Sequence, residues 1–163
     1  MEDILIREIK QNEIHFLSEM LYEAIFIPNG EKKLPKEIIN EPELNIYIKD
    51  FGRKNDFCLV VEKETKLIGA IWIRQFNESE KGFGFVNLET PELSMAIIEK
   101  YRGNGIGKIM LKQMLSKINE LNFKQVSLSV DNRNFAYKFY KKNDFVEVNS
   151  EKNSIKMLKT LNS

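Results

Sequence analysis

Cysteine and histidine are almost absent from this sequence. Its 163 residues include one Cys and one His. An internal disulfide needs two cysteines, and the usual zinc sites draw several ligands from these two residue types, so neither is expected. The composition therefore predicts a metal-free protein of a reducing compartment, the cytoplasm. Cys58 alternates within an apolar strand, which favours a core position over an acyl-cysteine intermediate.

Long apolar runs are missing as well. No stretch approaches the roughly 20 apolar residues that cross a bilayer, and the first ten residues, MEDILIREIK, are charged. We therefore expect neither secretion nor a membrane partner. Hydrophobic residues make up 42% of the chain, which is enough for one core, whereas two domains would be cramped. The expectation is a single domain over residues 1–163.

Net charge is low in total but unevenly distributed. Residues 1–98 carry 12 basic and 18 acidic side chains, whereas residues 99–142 carry 10 basic and 3 acidic ones. A basic segment suits a polyanionic ligand, and an acidic first part would attract a cationic one. The alternative is that both are ordinary solvated faces. No nucleic-acid motif occurs among the basic residues, so nucleic acid is not an expected partner.

Apolar periodicity predicts alternating strands and helices. A mixed sheet of about six to seven strands with helices on both faces follows, an α/β or α+β fold. Prolines and glycines interrupt residues 28–42, so residues 36–50 are expected to form a broken helix. The predicted elements are strand 3–9, helix 12–26, hairpin 57–76, strand 92–98, helix 105–121, strand 125–130, a short helix led by Asn134, and two closing strands.

Three of the eight glycines fall in the stretch YRGNGIGKIM, residues 101–110. They lie between a predicted strand and the first turn of a predicted helix, where main-chain N–H groups are unsatisfied and the helix dipole is positive. Such a loop is a natural phosphate site, because bare backbone allows close approach. A tight turn without a ligand would explain one or two glycines, but poorly explains three beside Arg102 and Lys108.

Two familiar phosphate loops do not fit this stretch. A nucleoside-triphosphate P-loop has four residues between its first Gly and its Gly-Lys pair, whereas Gly103 and Gly107 are separated by three. Ile109 also occupies the place of the magnesium-binding hydroxyl. The dinucleotide fingerprint is G-x-G-x-x-G, and the loop here is G-x-G-x-G, with its acidic candidate, Glu120, inside a helix.

The stretch closely resembles the pyrophosphate loop of the GNAT superfamily of acyl-CoA-dependent N-acyltransferases. The family pattern is Arg or Gln, two residues, Gly, one residue, then Gly or Ala, often preceded by Tyr. Matching positions here are Tyr101, Arg102, Gly105 and Gly107. The resemblance covers at least residues 92–148.

A second motif carries the same resemblance. NFAYKFYKKNDF, residues 134–145, is similar to the family signature Asn-x-Ala-x-x-Leu/Phe-Tyr-x-x-x-Gly-Phe. Asp144 departs from it, because the family usually has Gly there, and this puts the local turn in question. The residues that match are Asn134, Ala136, Phe139, Tyr140 and Phe145.

The resemblance implies that acetyl-CoA, as the acyl donor, is used to acetylate an amine: a small molecule, amino acid, peptide or protein amine. Its pantetheine would pair with the main chain of Ala96, Ile97 and Ile98, and Asn134 would hold its far end. Tyr140 matches the family's acid, which protonates the departing sulfur; the alternative is a core aromatic. The pyrophosphate would lie on the loop formed by Arg102, Gly103, Asn104, Gly105, Ile106, Gly107 and Lys108.

The base that takes the amine's proton is less constrained by the resemblance. Glu92, which opens the strand before the loop, is the first choice, with Glu89 or an ordered water as alternatives. His15 falls in the predicted first helix, where an exposed or packed role is favoured. We expect a cationic acceptor for the acidic first part, although segments 25–50 and 76–89, which would shape its pocket, carry no readable motif.

The same fold could also serve as a non-catalytic CoA-binding sensor or interaction module, because fold does not fix function. Tyr140 and the intact glycine loop favour the enzyme. Many members of the family form dimers, so a homodimer is left open.

Overall fold

A computed structural model describes residues 3–161. Its seven strands form one mixed sheet in the order β1-β2-β3-β4-β5-β7-β6. The α/β class and the strand number predicted from the sequence are confirmed. The strands are β1 (Ile4–Glu8), β2 (Phe57–Lys63), β3 (Lys66–Arg74), β4 (Glu92–Ile97), β5 (Gln125–Asp131), β6 (Val146–Glu151) and β7 (Ser154–Thr160); the helices are α1 (Phe16–Ala24), α2 (Pro42–Asn45), α3 (Ile106–Glu120) and α4 (Phe135–Lys142).

The first two helical regions are shorter than the periodicity predicts. The predicted helix 12–26 begins as a 3₁₀ turn, Gln11–Glu13, and becomes regular only in α1. The predicted broken helix 36–50 contains a 3₁₀ turn, Lys36–Asn40, and the four-residue α2, with Pro42 in its first turn. Proline fits the first turn of a helix but not its interior, so it separates the two pieces.

Helices cover both faces of the sheet. Side chains alternate along the central strands, and both faces carry apolar residues that must be buried. Cys58 and Val60 of β2 point to one face, where they pack with Leu17 of α1. Leu59 and Val61 point to the other face, into the cluster that includes the apolar side of α3. The predicted core position of Cys58 is confirmed. None of the helices in residues 3–161 is long and apolar enough to span a bilayer.

Strands β4 and β5 separate from each other almost as soon as they pair. The only paired register between these parallel strands is Glu92 with Ser127. On its other side, β4 pairs with β3 along the whole length of β4. Beyond Glu92, the edge of β4 that faces β5 has no strand partner. We call the resulting opening between β4 and β5 the wedge.

A buried arginine ties the irregular stretch after α2 to the sheet. Arg74, at the end of β3, and Asp56, just before β2, form an ion pair of 2.8 Å whose side chains are each 2% exposed. A second guanidinium nitrogen donates to the carbonyl oxygens of Ile46 (2.8 Å) and Lys49 (2.6 Å). Because all three guanidinium nitrogens donate to oxygen atoms, the buried charge is compensated.

Replacement of Arg74 by Met should lower the free energy of unfolding by about 3–5 kcal/mol, because Asp56 would be left as an uncompensated buried charge. Urea unfolding followed by the fluorescence of Trp72 measures this. Arg53→Gln is the control: it breaks an ion pair with Glu80 at the surface and should cost less than about 1 kcal/mol. Equal losses in the two variants would contradict the structural role assigned to Arg74.

Candidate active site

The wedge opens into a cavity of about 920 Å³. One wall comes from the α1 end and the segment that follows it, another from β4, and a third from the glycine loop and the start of α4. Eight of the residues predicted to hold acetyl-CoA line it: Ala96, Ile97, Arg102, Gly103, Gly105, Gly107, Lys108 and Asn134. The other predicted site residues do not line this cavity: Ile98, Asn104, Ile106, Tyr140 and Glu92.

The glycine loop offers free main-chain donors to this cavity. Among the described residues, the N–H groups of residues 103–105 have no hydrogen-bond partner, and helix α3 begins at Ile106 with its own unsatisfied N–H groups. Gly103 and Gly105 have φ of 80° and 81°, a region that side chains other than glycine rarely adopt. The loop therefore has the free main-chain donors that an anion site requires.

Arg102 does not point freely into the cavity. Its Nε donates to the carbonyl oxygen of Ile97 (2.7 Å), and its guanidinium forms an ion pair with Glu23 of α1 (3.0 Å). The side chain thus braces the loop against β4 and α1. Glu23 was not predicted as a site residue, because nothing in its local sequence separates it from other exposed helix acids.

Asn134 caps helix α4. Its side-chain oxygen accepts the main-chain N–H of Ala136 (3.0 Å), which confirms the helix start predicted at this residue. Asp144, where the related motif has Gly, adopts φ of 70°. The turn is therefore kept in its left-handed form, which Asp tolerates better than most residues.

Tyr140 lies behind the cavity wall that its neighbour Phe139 forms. The ring is 6% exposed and packs edge-on against Phe139 and Phe145, with centroids 5.4 Å apart in each pair. Its hydroxyl forms no hydrogen bond with the described residues. Burial raises the pKa of the phenol, which keeps the proton that a general acid must supply.

Glu92 lies at the apex of the wedge, where β4 and β5 still pair. It is 3% exposed, and its Oε2 accepts a hydrogen bond from the hydroxyl of Tyr47. Its Oε1 and the hydroxyl of Ser127 are buried without a partner among the described residues. Burial raises the pKa of the carboxyl to about 7, although the Tyr47 hydrogen bond opposes that change. A carboxyl of this pKa is suited to proton transfer near neutral pH.

The remaining candidates, Glu89, His15 and Cys58, do not line the cavity. Glu89 and His15 are both exposed. Cys58 is 1% exposed, and burial raises the pKa of its thiol, so little nucleophilic thiolate forms. Within residues 3–161, no cluster of His, Cys, Asp and Glu side chains has the arrangement that a metal ion needs.

Two phenylalanine side chains, distant from each other in the sequence, line the cavity. Phe26, in the segment after α1, and Phe135, in the first turn of α4, both line it, and Phe135 is 81% exposed. The Arg133 guanidinium lies 5.7 Å from the centre of the Phe26 ring and pairs with Asp131. These residues belong to no sequence motif, so only their position in the fold shows that they lie at the cavity.

The chain belongs to the GNAT acetyltransferase family. The family model described as "Acetyltransferase (GNAT) family" matches residues 19–145, which include β4, the glycine loop and α4. Members of this family transfer acetyl groups from acyl-CoA, so the chain is an acetyltransferase, and the acceptor is the open question. A search of the curated proteins finds no match for the sequence.

Solved structures agree on the fold. PaiA N-acetyltransferase from Thermoplasma acidophilum, in complex with coenzyme A, has a TM-score of 0.69 at 18% identity, with 97% of this chain and 99% of that one covered. A GNAT-family acetyltransferase from Streptococcus pneumoniae has a TM-score of 0.70 at 20% identity, covering 98% and 100%. The spermidine/spermine N-acetyltransferase SpeG from Vibrio cholerae has a TM-score of 0.61 at 17% identity, covering 98% and 93%.

The raised pKa of Glu92 should make the protein less stable as pH increases. Its carboxyl ionises near pH 4.5 in the unfolded chain but near 7 in the folded one, so stability falls between these values and stays lower above them. The loss is about 3 kcal/mol at most. Glu92→Gln should remove this part of the pH dependence, as measured by urea unfolding from pH 4 to 8. Parallel curves of unfolding free energy against pH for the variant and the wild type would contradict the raised pKa of Glu92.

Proposed function

We propose that this protein catalyses direct transfer of an acetyl group from acetyl-CoA to the amine of a cationic acceptor. The observation that carries the proposal is the wedge: the unpaired edge of β4 and the glycines Gly103 and Gly105, whose N–H groups have no partner, line one cavity of about 920 Å³. An unpaired strand edge can hydrogen-bond the amides of pantetheine, and the loop can hold its pyrophosphate. Lys108 supplies positive charge beside the loop.

The residues proposed to bind the acyl donor fall into three groups. Ala96, Ile97 and Ile98 would pair with pantetheine through their main chain. Asn134, at the far wall, would contact the donor beyond the thioester. The loop that would hold the pyrophosphate comprises Arg102, Gly103, Asn104, Gly105, Ile106, Gly107 and Lys108, with Arg102 acting as its brace.

The chemical step requires a neutral amine. The amine nitrogen attacks the thioester carbonyl carbon, the C–S bond breaks, and the products are the acetamide and CoA thiol. Glu92 is proposed to take the proton that the amine loses, either directly or through a water, and Tyr140 to give a proton to the departing sulfur. Tyr140 is protonated at neutral pH, whereas the pKa of Glu92 lies near neutral pH.

A cationic acceptor is supported by the distribution of acidic groups. Residues 1–98, which include the segments 25–50 and 76–89 expected to shape the acceptor pocket, carry six more acidic than basic side chains. Glu92 adds a buried carboxyl at the wedge apex. Three basic residues line the cavity. Arg102 and Lys108 stand beside the glycine loop, where the phosphates of the donor would neutralise them, and Lys33 lies in the segment after α1.

Tyr140→Phe should lower kcat for acetyl transfer about 10²-fold and leave the KM for acetyl-CoA nearly unchanged, because only the proton donor is removed. The measurement is thiol release from acetyl-CoA with a panel of polyamines, amino acids, aminoglycosides, peptides and acidic controls. Tyr137→Phe, on the exposed side of the same helix, is the matched control and should retain wild-type activity.

Several outcomes would count against the proposal. Turnover restricted to acidic acceptors would exclude a cationic substrate, and an unchanged kcat in Tyr140→Phe would exclude the acid. Acetyl-CoA binding without turnover of any acceptor would favour the alternative, a CoA-binding module on this fold.

The proposed pyrophosphate site can be tested with two glycines of matched conformation. Gly103 and Gly30 have φ of 80° and 86°, and a Cβ at either would meet nothing within 4 Å. Gly103→Asp would place a carboxylate at the loop and should weaken CoA binding by at least about tenfold, through charge repulsion. Calorimetric titration with CoA measures this. Gly30→Asp should bind within about twofold of wild type; equal losses in the two would disprove the site.

A further inference from the structure

Glu92 is closed off by a short glycine-rich segment. Residues 81–85, KGFGF, lie across the wedge on the face that carries α1 and α2; we call them the covering segment. A Cβ added to Gly82 would lie 2.3 Å from Glu92 Oε1, and one added to Gly84 would lie 2.6 Å from the main chain of Leu128 in β5. The two glycines therefore let the backbone lie directly on β4 and β5.

The aromatic residues of the covering segment hold it in place. Phe85 is buried in a cluster with Leu21, Tyr47 and Phe76, and its carbonyl oxygen accepts a hydrogen bond from Lys156 (2.6 Å). Phe83 is 53% exposed and stacks on Tyr47 with the rings 17° from parallel. The alternation of Gly and Phe thus places small residues against the strands and large ones in anchoring contacts.

One hydroxyl joins this segment to Glu92. The Tyr47 oxygen donates to Glu92 Oε2 and accepts the main-chain N–H of Phe83 (2.7 Å). Glu92 Oε1, on the other side of the carboxyl, has no partner among the described residues and faces Gly82. Tyr47 therefore fixes one carboxyl oxygen and leaves the other for exchange of a proton.

We propose that Tyr47 is a positioning residue for acetyl transfer, which orients Glu92 and holds the covering segment closed over it until an acceptor displaces the segment. The inference rests on the proposed role of Glu92 as the base. It explains why Glu92 lies at the wedge apex yet does not line the large cavity. It also assigns a role to KGFGF beyond that of a connecting loop.

The charged neighbours of Glu92 are few. Lys156 of β7 acts on its carboxyl at longer range and favours the ionised form. Arg74 stands opposite Glu92 in the β3–β4 register, but its guanidinium is bound to Asp56. Ser127 of β5 is neutral. Tyr47 is thus the only side chain among the described residues that hydrogen-bonds the Glu92 carboxyl. The main chain of Gly84 also favours the ionised carboxyl, but less than the Tyr47 hydroxyl does, so the hydroxyl should have the larger effect on its pKa.

The test is Tyr47→Phe, which keeps the ring and removes the hydroxyl. Protein labelled with ¹³C-glutamate is titrated by NMR, with the Glu92 resonance identified by its absence in Glu92→Gln. Loss of the donor should raise the Glu92 midpoint by about one pH unit, since Phe85 and Lys156 still hold the segment. Phe76→Leu, which removes an aromatic contact with Tyr47 and no hydrogen bond, should leave it unchanged.

Amide exchange tests the covering segment itself. The Phe83 N–H should be protected from exchange in the wild type. Its protection factor should fall at least about tenfold in Tyr47→Phe, but not in Phe76→Leu. An unprotected Phe83 amide in the wild type would overturn the proposal without any variant. So would a Glu92 midpoint that does not rise in Tyr47→Phe, or that rises equally in Phe76→Leu.

The pH profile of kcat/KM separates this inference from the function on which it rests. If Glu92 is the base, the acidic limb should move upward in Tyr47→Phe together with the NMR midpoint. A shifted midpoint with an unmoved limb would support the link between Tyr47 and Glu92, and would remove Glu92 as the base of the proposed reaction.

Discussion

The buried contact between Arg74 and Asp56 is the constraint on which the position of the stretch after α2, and of the side chains around Glu92, depends. Helix α2 has only four residues and is followed by an irregular stretch. Neither is long enough to hold its own geometry without contacts to the sheet. Arg74 fixes that stretch through the carbonyl oxygens of Ile46 and Lys49, and Tyr47 lies between them. The indole N–H of Trp72 donates to the carbonyl of Tyr47 as well (3.0 Å). Strand β3 thereby determines where the Tyr47 hydroxyl meets Glu92.

The separation of β4 from β5 is what turns a sheet into a binding site. A buried strand edge normally satisfies its N–H and C=O groups with a neighbouring strand. Because β4 loses its partner after Glu92, its edge is available to a ligand of peptide-like chemistry. The loop after β4 then supplies main-chain donors at the same opening. One departure from regular pairing accounts for both features of the donor side.

The local geometry of the glycine loop and of the start of α4 could be predicted from the sequence far better than the contacts around Glu92. The glycine loop and Asn134 are local features, in which a few neighbouring residues dictate backbone conformation, so they could be predicted from their spacing. Glu23 and Tyr47 owe their roles to partners distant in sequence: Glu23 meets Arg102, 79 residues later, and Tyr47 meets Glu92, 45 residues later. Residues 36–50 are also held by tertiary hydrogen bonds from Arg74 and Trp72 to their carbonyl oxygens, which no local sequence pattern reports.

Burial of Glu92 serves two opposing needs. A carboxyl open to water would have an ordinary pKa and would be a weak base towards an ammonium group, whereas complete enclosure would prevent contact with the acceptor. The covering segment reconciles these requirements because its backbone, rather than a bulky side chain, closes the site. Gly82 places no side chain over the carboxyl, and Phe85 keeps the far end of the segment anchored. Access to the carboxyl would then require only a local change of backbone, while the core beneath remains packed.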